Sequence, residues 1–578
     1  MMGEMEPSGD VRIELGERDR DAESRLMREL GIPRLLAAVL VARGFDQPEA
    51  ASDFLNPSLD SLADPSLLPD YEPAKDVLLG AIERKEKIYI HGDYDVDGVT
   101  SAALFTRFLE KIGADVHVHV PHRMKEGYGI HLKAVEEAKS LGAKVFLTCD
   151  CGISAHDQVL AARDAGMTVV VTDHHSVPPE LPEAAALINP HRKDSPYPFR
   201  ELAGVGVVFR FCEGLAREVG AGIAGYRRAY LDLAALGTVA DVMPLVGENR
   251  TIVRHGLKEL WGTKKEGLRA LLSTSRLLET AAEDGLRARH IGFQLGPRLN
   301  ATGRIDDARR ALDLLLSKDD TVAMALAAEI EKLNTERRNR QDQIVADALE
   351  HVAEMDLSDR YVIVVGNENW HGGIVGLVAS KLVDRFNRPA YVMVYNPDTG
   401  MARGSARSIP GFNLADSIRA FPDLVEGGGH AAAAGFSTRL DRVDEVAEAF
   451  NSYAKEHLRP EDLIPVLEVD LAVDGDEVDY SAVDALSQLE PFGNANREPV
   501  FLMRNIKVLQ TKPTKSETVA NVHLQGPGGP RLWGTTFTQA ETVLTMGPES
   551  EFDAVFKPTI ETYNGERRLK IRLEYVRA

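Results

Sequence analysis

The sequence of 578 residues contains little cysteine, with thiols only at Cys149, Cys151 and Cys212. Thiols this few and this irregularly spaced exclude a disulfide framework and predict a reducing, cytoplasmic environment. Long apolar runs are also lacking, since LLAAVLVA at 35–42 falls far short of the roughly 20 residues that a membrane-spanning helix needs. The acidic N-terminus lacks the basic-then-apolar order of a secretory signal, so we expect a protein that is not exported.

Positive charge is scarce as well. The chain has 67 Lys and Arg against 89 Asp and Glu, a formal net charge of −22, which argues against electrostatic coating of nucleic acid. Any polyanion must therefore be held locally, by metal ions or by individually placed cations. The basic segment is 491–578, with twelve Lys and Arg against nine Asp and Glu. It follows a segment at 461–490 that has ten acidic residues and no Lys or Arg.

The length predicts three or four domains at about 150 residues each. Residues 1–70 predict a small helical preface. Within 71–316, segments of strand character alternate with segments of helical spacing, beginning with KIYIH at 87–91 and VTSAALFTRFLEKIG at 99–113. This alternation predicts an α/β domain with a parallel sheet, in which ligands bind beyond the carboxyl ends of the strands.

The second half of the chain has a different pattern. Residues 317–356 contain no Gly or Pro and begin with the capping sequence SKDD, which predicts a connecting helix of about 60 Å at 1.5 Å per residue. A helical pair or a coiled coil is the alternative. Residues 357–457 predict a second α/β domain, with the strands YVIVVG and PAYVMVY around one helix. Residues 460–578 predict an all-β, turn-rich domain.

Acidic and imidazole side chains follow three of the predicted strands. They lie at or directly after the ends of KIYIH, KVFLTC and TVVVT, and comprise His91, Asp93, Asp95, Asp97, Asp150, Asp173, His174 and His175. Because the carboxyl ends of parallel strands meet at one edge of a sheet, we expect a multi-metal site. The spacing H-x3-D-x-D lets His91 and Asp95 share one ion while Asp97 turns toward a second. Histidine with carboxylates suits Mn²⁺ better than Mg²⁺, and two such ions about 3.5–4 Å apart can drive a phosphoryl displacement.

Other interpretations of DYDVDG explain less of the sequence. An EF-hand loop needs Glu at its twelfth position, which counted from Asp93 is Leu104, and a helix rather than a strand before it. A haloacid-dehalogenase-type phosphatase accounts for D-x-D after a strand but not for His91 or DHH. Acids that cap the following helix account for one Asp through the helix dipole. Core histidines at 174–175 and metal-ligating cysteines beside Asp150 are further alternatives.

Ten segments match a known family. Four of them, HGDYDVDGVTSA, TCDCGIS, TDHH and ALGTVADVMPL, resemble the four motifs of the DHH phosphoesterases. The resemblance extends through VPHRMKEGYGI, GPRLNATGRI, NWHGGIVGLVASKL, GSARS, GGGHAAAAGF and PFGNANREPVF to those family members that degrade single-stranded DNA. It implies a 5′→3′ exonuclease that uses two Mn²⁺ or Mg²⁺ ions, releases nucleoside 5′-monophosphates and acts in DNA repair and recombination. It also implies an OB-like fold for 460–578.

The resemblance implies a role for each residue at the matched positions. One ion is held by His91, Asp95 and Asp150. The other is held by Asp97, Asp150, His174 and Asp241. Catalytic roles are expected for Asp93, which orients ligands, for His175, which stabilises charge on the scissile phosphate, and for Arg298.

Contacts with DNA or its phosphates are implied for Arg123, Tyr128, Arg298, Asn300, Arg304, Ser405, Arg407 and His430. The last three would form a pocket for the 5′ end beside glycines 427–429, which let a backbone approach a phosphate closely. The alternative is that Arg407 makes a surface ion pair and that the glycines form an ordinary turn.

The OB-like domain would grip about 4–16 nucleotides of single strand. Candidate contacts there are Arg497, Arg504, Lys507, Lys512, Lys515, Arg567, Arg568, Lys570 and Arg572. From the family we expect a monomer with single-stranded DNA as substrate and with single-strand-binding protein and a helicase as partners. Two other functions stay open. A DHH phosphodiesterase for short oligonucleotides, cyclic dinucleotides or pyrophosphate would lack the OB-like domain, and a DNA-binding scaffold would bind DNA without cleaving it.

Overall fold

The structure is a computed structural model, and it describes residues 11–282, 284–516, 518–529, 531–537, 539–563 and 566–577. Two compact units make up the chain. One comprises Asp53–Arg337 together with the short segment Leu489–Arg497. The other comprises the described residues up to Ser52, Arg338–Gln488 and those from Glu498 onward. The predicted helical preface at 1–70 is therefore divided between the two units, and its first ten residues lie outside the described ranges.

The strands are numbered in chain order. They are β1 (Arg12–Leu15), β2 (Lys87–His91), β3 (Asp115–His119), β4 (Val145–Cys149), β5 (Thr168–Thr172), β6 (Ala186–Ile188), β7 (Ile363–Asn367), β8 (Ala390–Asn396), β9 (Met401–Arg407), β10 (Glu426–Gly429), β11 (Ala433–Arg439), β12 (Val466–Val469), β13 (Leu471–Ala472), β14 (Phe501–Pro513), β15 (Ala520–Gln525), β16 (Arg531–Thr536), β17 (Glu551–Tyr563) and β18 (Glu566–Arg577).

The helices are numbered in the same way. They are α1 (Arg20–Leu30), α2 (Arg34–Ala42), α3 (Pro48–Leu55), α4 (Tyr71–Glu83), α5 (Val96–Lys111), α6 (Leu132–Ser140), α7 (His156–Asp164), α8 (Gly204–Glu218), α9 (Ile223–Ala240), α10 (Gly247–Trp261), α11 (Glu266–Thr274), α12 (Leu277–Thr280), α13 (Ala288–His290), α14 (Gly296–Ile305), α15 (Arg309–Leu316), α16 (Asp320–Ala353), α17 (Val375–Phe386), α18 (Leu414–Arg419), α19 (Val443–His457), α20 (Tyr480–Ala485) and α21 (Ala540–Thr545).

The first unit is built on a five-stranded parallel sheet in the order β3-β2-β4-β5-β6. Side chains alternate between its two faces, as the pleat requires. Ile88 and Ile90 face a core shared with α5, α8 and α9, while Tyr89 faces a second core shared with α6 and α7. The predicted parallel sheet and its alternating helices are thus confirmed. Because both faces are covered, the strand ends are left to carry polar side chains.

The second unit contains a five-stranded sheet in the order β10-β11-β9-β8-β7. Strands β7 and β8 are parallel, and the remaining pairs are antiparallel. Tyr391 of β8, Phe436 of β11 and Phe450 of α19 pack in its core. The two predicted strands and the helix between them, α17, are confirmed as an α/β arrangement.

The C-terminal strands close into a barrel, since β14-β15-β16-β18-β17 form one sheet and β14 also pairs with β17. A five-stranded closed sheet of this kind is the OB-fold. The all-β prediction holds for the barrel, but 460–578 also contains α20 and α21. The strand β1, which the helical interpretation of 1–70 missed, pairs in parallel with β12 ahead of the barrel.

The predicted connecting helix is a single helix, α16, of 34 residues, so a helical pair is excluded there. It spans about 51 Å at 1.5 Å per residue, and the division between the two units falls within it, after Arg337. At its start the Asp319 carboxylate accepts a hydrogen bond from the backbone N–H of Val322 at 2.9 Å, which satisfies a free N-terminal donor. Among the described residues no helix is both long and apolar enough to cross a bilayer.

Candidate metal centre and nucleic-acid interface

Three strand ends meet at one edge of the parallel sheet, as the sequence predicted. Strand β4 pairs with β2 and with β5 in register, so that His91 lies opposite Thr148 and Cys149 opposite Thr172. The residues that follow these strands therefore converge. Three groups of side chains have ligand atoms within 4.8 Å of one another: Asp97, His174 and Asp241; Asp93, Asp95 and Asp150; and Asp150, His174 and His175.

His174 is the centre of the first group. Its Nε2 lies 3.7 Å from Oδ2 of Asp97, 3.6 Å from Oδ2 of Asp241 and 3.1 Å from Oδ1 of Asp150. These four residues are the ones that the resemblance assigns to one ion. Asp241 comes from the C-terminal end of α9 rather than from a strand, so only the family motif, and not the strand pattern, pointed to it.

Asp97 is held by the start of α8. Its two carboxylate oxygens accept hydrogen bonds from the backbone N–H groups of Gly204 at 2.6 Å and Val205 at 2.8 Å, where the helix dipole favours negative charge. A Cβ atom on Gly204 would lie only 2.7 Å from Oδ1 of Asp150. Glycine is therefore required for two ligands to meet at this helix end, and nothing in the sequence marked Gly204.

The second group differs from the expected one. The structure places Asp93, rather than His91, with Asp95 and Asp150. Asp95 also caps α5, accepting a hydrogen bond from Gly98 N–H at 3.1 Å, so the capping interpretation holds for one of the three acids. Asp150 has a φ of 61°, an uncommon conformation for a residue other than glycine, and it belongs to two of the groups.

His91 is turned toward the neighbouring strands. Its ring stacks on His119 at 5.4 Å and on Phe146 at 6.0 Å, and its Nε2 lies 3.3 Å from the carbonyl oxygen of Gly129. This stacking explains why the expected grouping of His91 with Asp95 is not found. Its Nδ1 is nevertheless buried without a hydrogen-bond partner among the described residues, so ligation by His91 stays a prediction.

Burial and mutual repulsion disfavour the charged form of the acids in this cluster when no cation is present. Burial and the carboxylate of Asp95 raise the pKa of Asp97 to about 7, and burial and Asp97 raise the pKa of Asp241 to about 9. The pKa values of Asp93 and Asp150 are raised well above the usual range by burial and by neighbouring carboxylates. One buried oxygen of each of these two residues has no hydrogen-bond partner among the described residues. Unsatisfied buried oxygens that repel one another fit divalent cations.

The two adjacent histidines differ in charge. Burial lowers the pKa of His174 to about 3, so its ring is neutral, as a metal ligand must be. Burial also opposes charge on His175, but its hydrogen bond to Asp173 raises the pKa to about 9. Nδ1 of His175 lies 2.7 Å from Oδ1 of Asp173. One histidine is therefore suited to bind a cation, and the other brings a positive charge of its own.

Asp173 is one of the acids that follow the strands, but the sequence predicts no role for it. Its Oδ1 accepts hydrogen bonds from the backbone N–H groups of His174 and His175 at 2.7 and 3.1 Å. Its Oδ2 accepts one from Ile153 N–H at 2.9 Å. Although burial penalises its charge, the bond from His175 keeps its pKa below the usual value. Asp173 therefore orients His175 rather than binding an ion.

The loop between β3 and α6 contacts this cluster. Tyr128 Oη lies 3.3 Å from both ring nitrogens of His175. The guanidinium of Arg123 lies over the ring of Tyr94, 4.9 Å from its centre. Both predicted DNA contacts of this loop are thus beside the metal groups, and Tyr128 remains half exposed at 52%.

Helix α14 carries the predicted Arg298, Asn300 and Arg304. The Arg298 guanidinium donates to Glu331 of α16 at 2.5 Å and to the carbonyl of Gln294 at 2.8 Å. Arg298 thus fastens α14 to α16 in this structure, and its catalytic and phosphate-binding roles stay predictions. A Cβ atom on Gly303 would lie 3.2 Å from the carbonyl oxygen of Tyr94, which places the neighbouring Arg304 near the aspartate loop. Asn300 is half-buried, and its contact with DNA also stays a prediction.

The second unit brings the other predicted residues together. Ser405 and Arg407 lie on β9, where they pair with Gly435 and Ala433 of β11. His430 follows β10, and its backbone N–H donates to the carbonyl of Ala433 at 2.8 Å. All three are therefore at one end of three neighbouring strands.

The N-terminus of α17 lies against the same strand end. A Cβ atom on Gly376 would be 3.2 Å from Nη2 of Arg407 and 3.4 Å from Cβ of Ser405. The helix start, a guanidinium and a hydroxyl thus share one place, a combination suited to phosphate.

On the barrel, sequence reasoning missed an aromatic pair. His523 of β15 and Trp533 of β16 are direct cross-strand partners, and their rings stack at 3.8 Å with an interplanar angle of 6°. Trp533 is 54% exposed. Only the register of β15 and β16 reveals this pair, because the two residues are ten positions apart in the chain.

The candidate cations of the barrel are partly neutralised. Arg567, Lys570 and Arg572 form ion pairs with Asp484, Glu561 and Glu574 at 2.7, 2.5 and 2.7 Å. Lys507 lies 3.7 Å from Glu549 and Glu551. Exposed ion pairs are weak and yield to competing phosphates, so all these residues stay candidate contacts, together with Arg497, Arg504, Lys512, Lys515 and Arg568.

The three cysteines are buried and free. Burial raises the pKa of Cys149, Cys151 and Cys212 well above the usual value, which disfavours the thiolate that metal ligation needs. None of the metal-binding groups among the described residues contains a cysteine. The structure therefore favours packing over metal ligation for Cys149 and Cys151.

Three family profiles match the chain. The DHH family, N-terminal domain, matches residues 87–238, the DHHA1 domain matches residues 359–456, and the RecJ OB domain matches residues 469–575. These ranges coincide with the parallel-sheet region, the mixed sheet and the barrel described above.

Named relatives agree with these profiles. The chain is 38% identical over 573 residues to the single-stranded-DNA-specific exonuclease RecJ of Bacillus subtilis, covering 98% of this chain and 70% of that protein. It is 32% identical over 586 residues to the Escherichia coli protein of the same name, covering 98% of this chain and 99% of that one. The crystal structure of Thermus thermophilus RecJ in complex with Mn²⁺ is similar with a TM-score of 0.83 and 26% identity, covering 98% of this chain and 80% of that chain. The same protein in complex with Mg²⁺ gives a TM-score of 0.79 at 25% identity, covering 98% of this chain and 78% of that chain.

Proposed function

The chain belongs to the RecJ family of single-stranded-DNA-specific exonucleases, and we propose that it degrades single-stranded DNA from the 5′ end to nucleoside 5′-monophosphates. It is a metal-dependent hydrolase of the DHH type. The observation that carries the proposal is the sharing of Asp150 between groups that contain Asp97, His174 and Asp241 on one side and Asp93 and Asp95 on the other. We infer that the first group, with Asp150, holds one ion and the second holds the other.

When bound, two divalent cations supply an activated water and neutralise the charge of the phosphate. The protein contributes the geometry. The carboxylate of Asp97 is fixed by two backbone donors, and the neutral ring of His174 lies among three carboxylates. His175, charged and held by Asp173, would stabilise the negative charge that develops on the phosphate or donate a proton to the leaving oxygen.

We assign the 5′ end to the second unit. Ser405, Arg407 and His430, with the start of α17, offer a hydroxyl, a guanidinium, an imidazole and helix N–H groups for a terminal phosphate. Gly428 has open space around it, so a nucleotide could approach the backbone closely. Binding of the terminal phosphate there would fix the direction of digestion.

We assign the downstream strand to the barrel. In an OB-fold, the face of the second and third strands binds oligonucleotides, and in this barrel those strands are β15 and β16. Trp533, supported by His523, offers a flat exposed ring at that place, and stacking on it would not depend on base identity. Lys512 and Arg504 are exposed on β14 and could contact the backbone of the strand.

The other functions are less well supported. A phosphodiesterase for short oligonucleotides or cyclic dinucleotides would not need the barrel, which matches the RecJ OB domain. A DNA-binding scaffold would not need several buried carboxylates gathered around one histidine in groups that could hold cations. Residue roles, domain bounds, a monomeric state, a cytoplasmic location, and single-strand-binding protein and a helicase as partners stay our predictions.

The proposal is tested with matched substrates. Single-stranded and double-stranded DNA of one sequence, labelled at either end, is incubated with the protein in Mn²⁺, Mg²⁺ or EDTA. We expect mononucleotides released from the 5′ end of the single strand, with either ion and not in EDTA. Release from the 3′ end, equal digestion of duplex, or binding without cleavage would each contradict it.

A further inference from the structure

One matched motif, PFGNANREPVF at 491–501, has no role in the function proposed above. Its first seven residues, Pro491–Arg497, belong to the segment Leu489–Arg497, which groups with the metal-binding unit although the chain before and after it belongs to the other unit. The chain thus returns to the catalytic unit for nine residues and leaves it again. The contacts of these nine residues show what holds them against the catalytic unit.

The segment is fastened at its start by buried groups. Arg250, which is 1% exposed, donates from Nη1 to the carbonyl of Leu489 at 2.7 Å. The amide of Asn496, also buried, donates to the carbonyls of Leu489 and Pro491 at 2.8 and 2.9 Å. Gly493 and Asn496 exchange two backbone hydrogen bonds, at 2.9 and 3.1 Å. Residues 493–496 therefore form a rigid turn with Asn494 near its tip.

This turn holds the loop that follows a metal-binding residue. The side-chain amide of Asn494 donates to the carbonyl of Val242 at 2.8 Å, and the carbonyl of Asn494 accepts from Leu245 N–H at 2.8 Å. Gly493 lies against Leu245, where a Cβ atom would be 2.7 Å from Cδ1 of that side chain. One residue thus bonds both ends of the segment 242–245, which begins directly after Asp241.

The loop needs such support. Val242 has a φ of 57°, a conformation that a β-branched residue rarely adopts and that persists only when the surroundings impose it. Its side chain is 66% exposed, so burial does not impose that conformation. The side chain of Asp241 is itself 26% exposed, unlike that of Asp97, which is fully buried.

We propose that Asn494 is a positioning residue for the metal centre. It fixes Asp241 by donating a hydrogen bond to the carbonyl of Val242, whose backbone conformation is strained. The inference rests on the proposed function, since it assumes that Asp241 binds an ion. The proposal predicts that Asn494 affects the binding of one ion and not of the other. The group of Asp97, His174 and Asp241 depends on Asn494, whereas the group of Asp93, Asp95 and Asp150 does not.

The test is calorimetric titration of Mn²⁺ into metal-free full-length protein, with melting followed by circular dichroism. We expect the parent to bind two ions and Asn494→Ala to bind one of them about ten-fold more weakly, the loss typical of a group that orients a ligand. The other ion should keep its affinity. Asn521→Ala, an exposed asparagine on β15, is the matched control and should match the parent.

A rescue separates positioning from a general structural role. Glycine adopts a positive φ without strain, so Val242→Gly added to Asn494→Ala should restore most of the lost affinity. If Asn494→Ala unfolds, Asn494→Asp, which keeps the shape and removes the donor, replaces it. If the parent binds two ions and both Asn494 variants bind them with the affinities of the parent, the positioning role alone is overturned. Equal weakening of both ions, or no rescue, would do the same. A parent that binds fewer than two ions would overturn the metal centre and this inference with it.

Discussion

The two compact units present their polar residues in different ways. In the unit of the parallel sheet, His174 lies within 3.7 Å of three carboxylates, and the acids are buried at the ends of a few strands and helices. In the other unit, Arg407 and Trp533 lie on two different sheets and are at least partly accessible. In the proposed function, the cleavage chemistry is concentrated in the first unit and binding of the strand is distributed over the second. Single substitutions should therefore abolish function in the first and weaken it by degrees in the second.

The largest effect is expected for Asp97→Ala. Asp97 helps to hold one of the two proposed ions, so its removal should lower the cleavage rate by at least about 1,000-fold. Loss of one group that stabilises a transition state electrostatically costs up to about that factor, and here the loss extends to the ion itself. Binding of single-stranded DNA in Ca²⁺ should stay within about two-fold, because the gripping residues lie elsewhere. Cleavage of 5′-labelled strand and fluorescence anisotropy measure the two quantities.

Asp97→Ala removes a buried like charge but also leaves the N–H groups of Gly204 and Val205 without their acceptor, so the melting temperature of the metal-free variant must be compared with that of the parent to check that the loss of cleavage is chemical. Asp157→Ala, an exposed acid on α7, is the control and should cleave like the parent. Parent-like cleavage by Asp97→Ala would show that the concentrated site is misassigned.

A smaller effect is expected for Arg407→Ala. Loss of one charged hydrogen-bonding group to a phosphate should raise KM by about 10- to 100-fold on 5′-phosphorylated strand. The kcat should change little, because the cleavage chemistry belongs to the other unit. Steady-state kinetics on 5′-phosphate and 5′-hydroxyl ends measure the preference, which should fall toward one. Arg403→Ala, from the same strand, is the control. Unchanged kinetics on both kinds of end would remove the second unit from end recognition.

The affinity of the metal centre for Mn²⁺ should change with pH, by about ten-fold per pH unit. Between pH 7 and pH 9 the ion must displace the proton from Asp241, whose pKa is about 9. Each displaced proton makes affinity for Mn²⁺ about ten-fold stronger per pH unit. The same protons mean that the metal-free protein loses stability as pH rises from the ordinary carboxyl range up to about 7 for Asp97 and up to about 9 for Asp241, since the unfolded carboxylates are already ionised over that range.

Melting curves in EDTA and in Mn²⁺ from pH 6.5 to 8.5 measure both effects. The increase in Tm caused by Mn²⁺ should grow with pH, and this growth should be reduced in Asp241→Ala. An increase that shrinks with rising pH would contradict the proton displacement.

The smallest effect is expected on the barrel. Trp533→Ala removes one stacking platform, worth about 1 kcal/mol at the low end for a base, or about five-fold in affinity. Long strands should be bound more weakly and released sooner, while cleavage of a dinucleotide stays as in the parent. Tyr480→Ala, an exposed aromatic of α20, is the control. A loss as large as that of Asp97→Ala would erase the difference between concentrated chemistry and distributed grip.

The metal centre could be predicted in large part because its signal is local. Asp93, Asp95 and Asp97 occur within five residues, and DHH follows a strand, so the parallel sheet alone brings these side chains to one edge. Asp241 required the family motif, because it ends a helix and no strand pattern marks it. His91 was placed on an ion by its spacing, but stacking with His119 and Phe146 directs its ring to the neighbouring strands.

The remaining residues depend on contacts between distant parts of the chain. Gly204 matters because its N–H reaches Asp97, 107 positions away. Trp533 and His523 form one surface only through the register of two strands. Asn494 and Val242 are 252 positions apart. Local spacing carries no information about such pairs, and the strand β1 was missed for the same reason, since its partner β12 lies near the other end of the chain.

The position of Leu489–Arg497 late in the chain determines when the parallel-sheet unit is completed during translation. A ribosome finishes Arg337 about 150 residues before it reaches Leu489, which takes roughly 10–30 s at about 5–20 residues per second. During that interval the parallel-sheet unit is present on the nascent chain while the turn that supports Asp241 is not. The support of Asp241 in a nuclease built in this way is therefore complete only after the ribosome has passed Arg497, and a chain that terminates before that point would lack the turn.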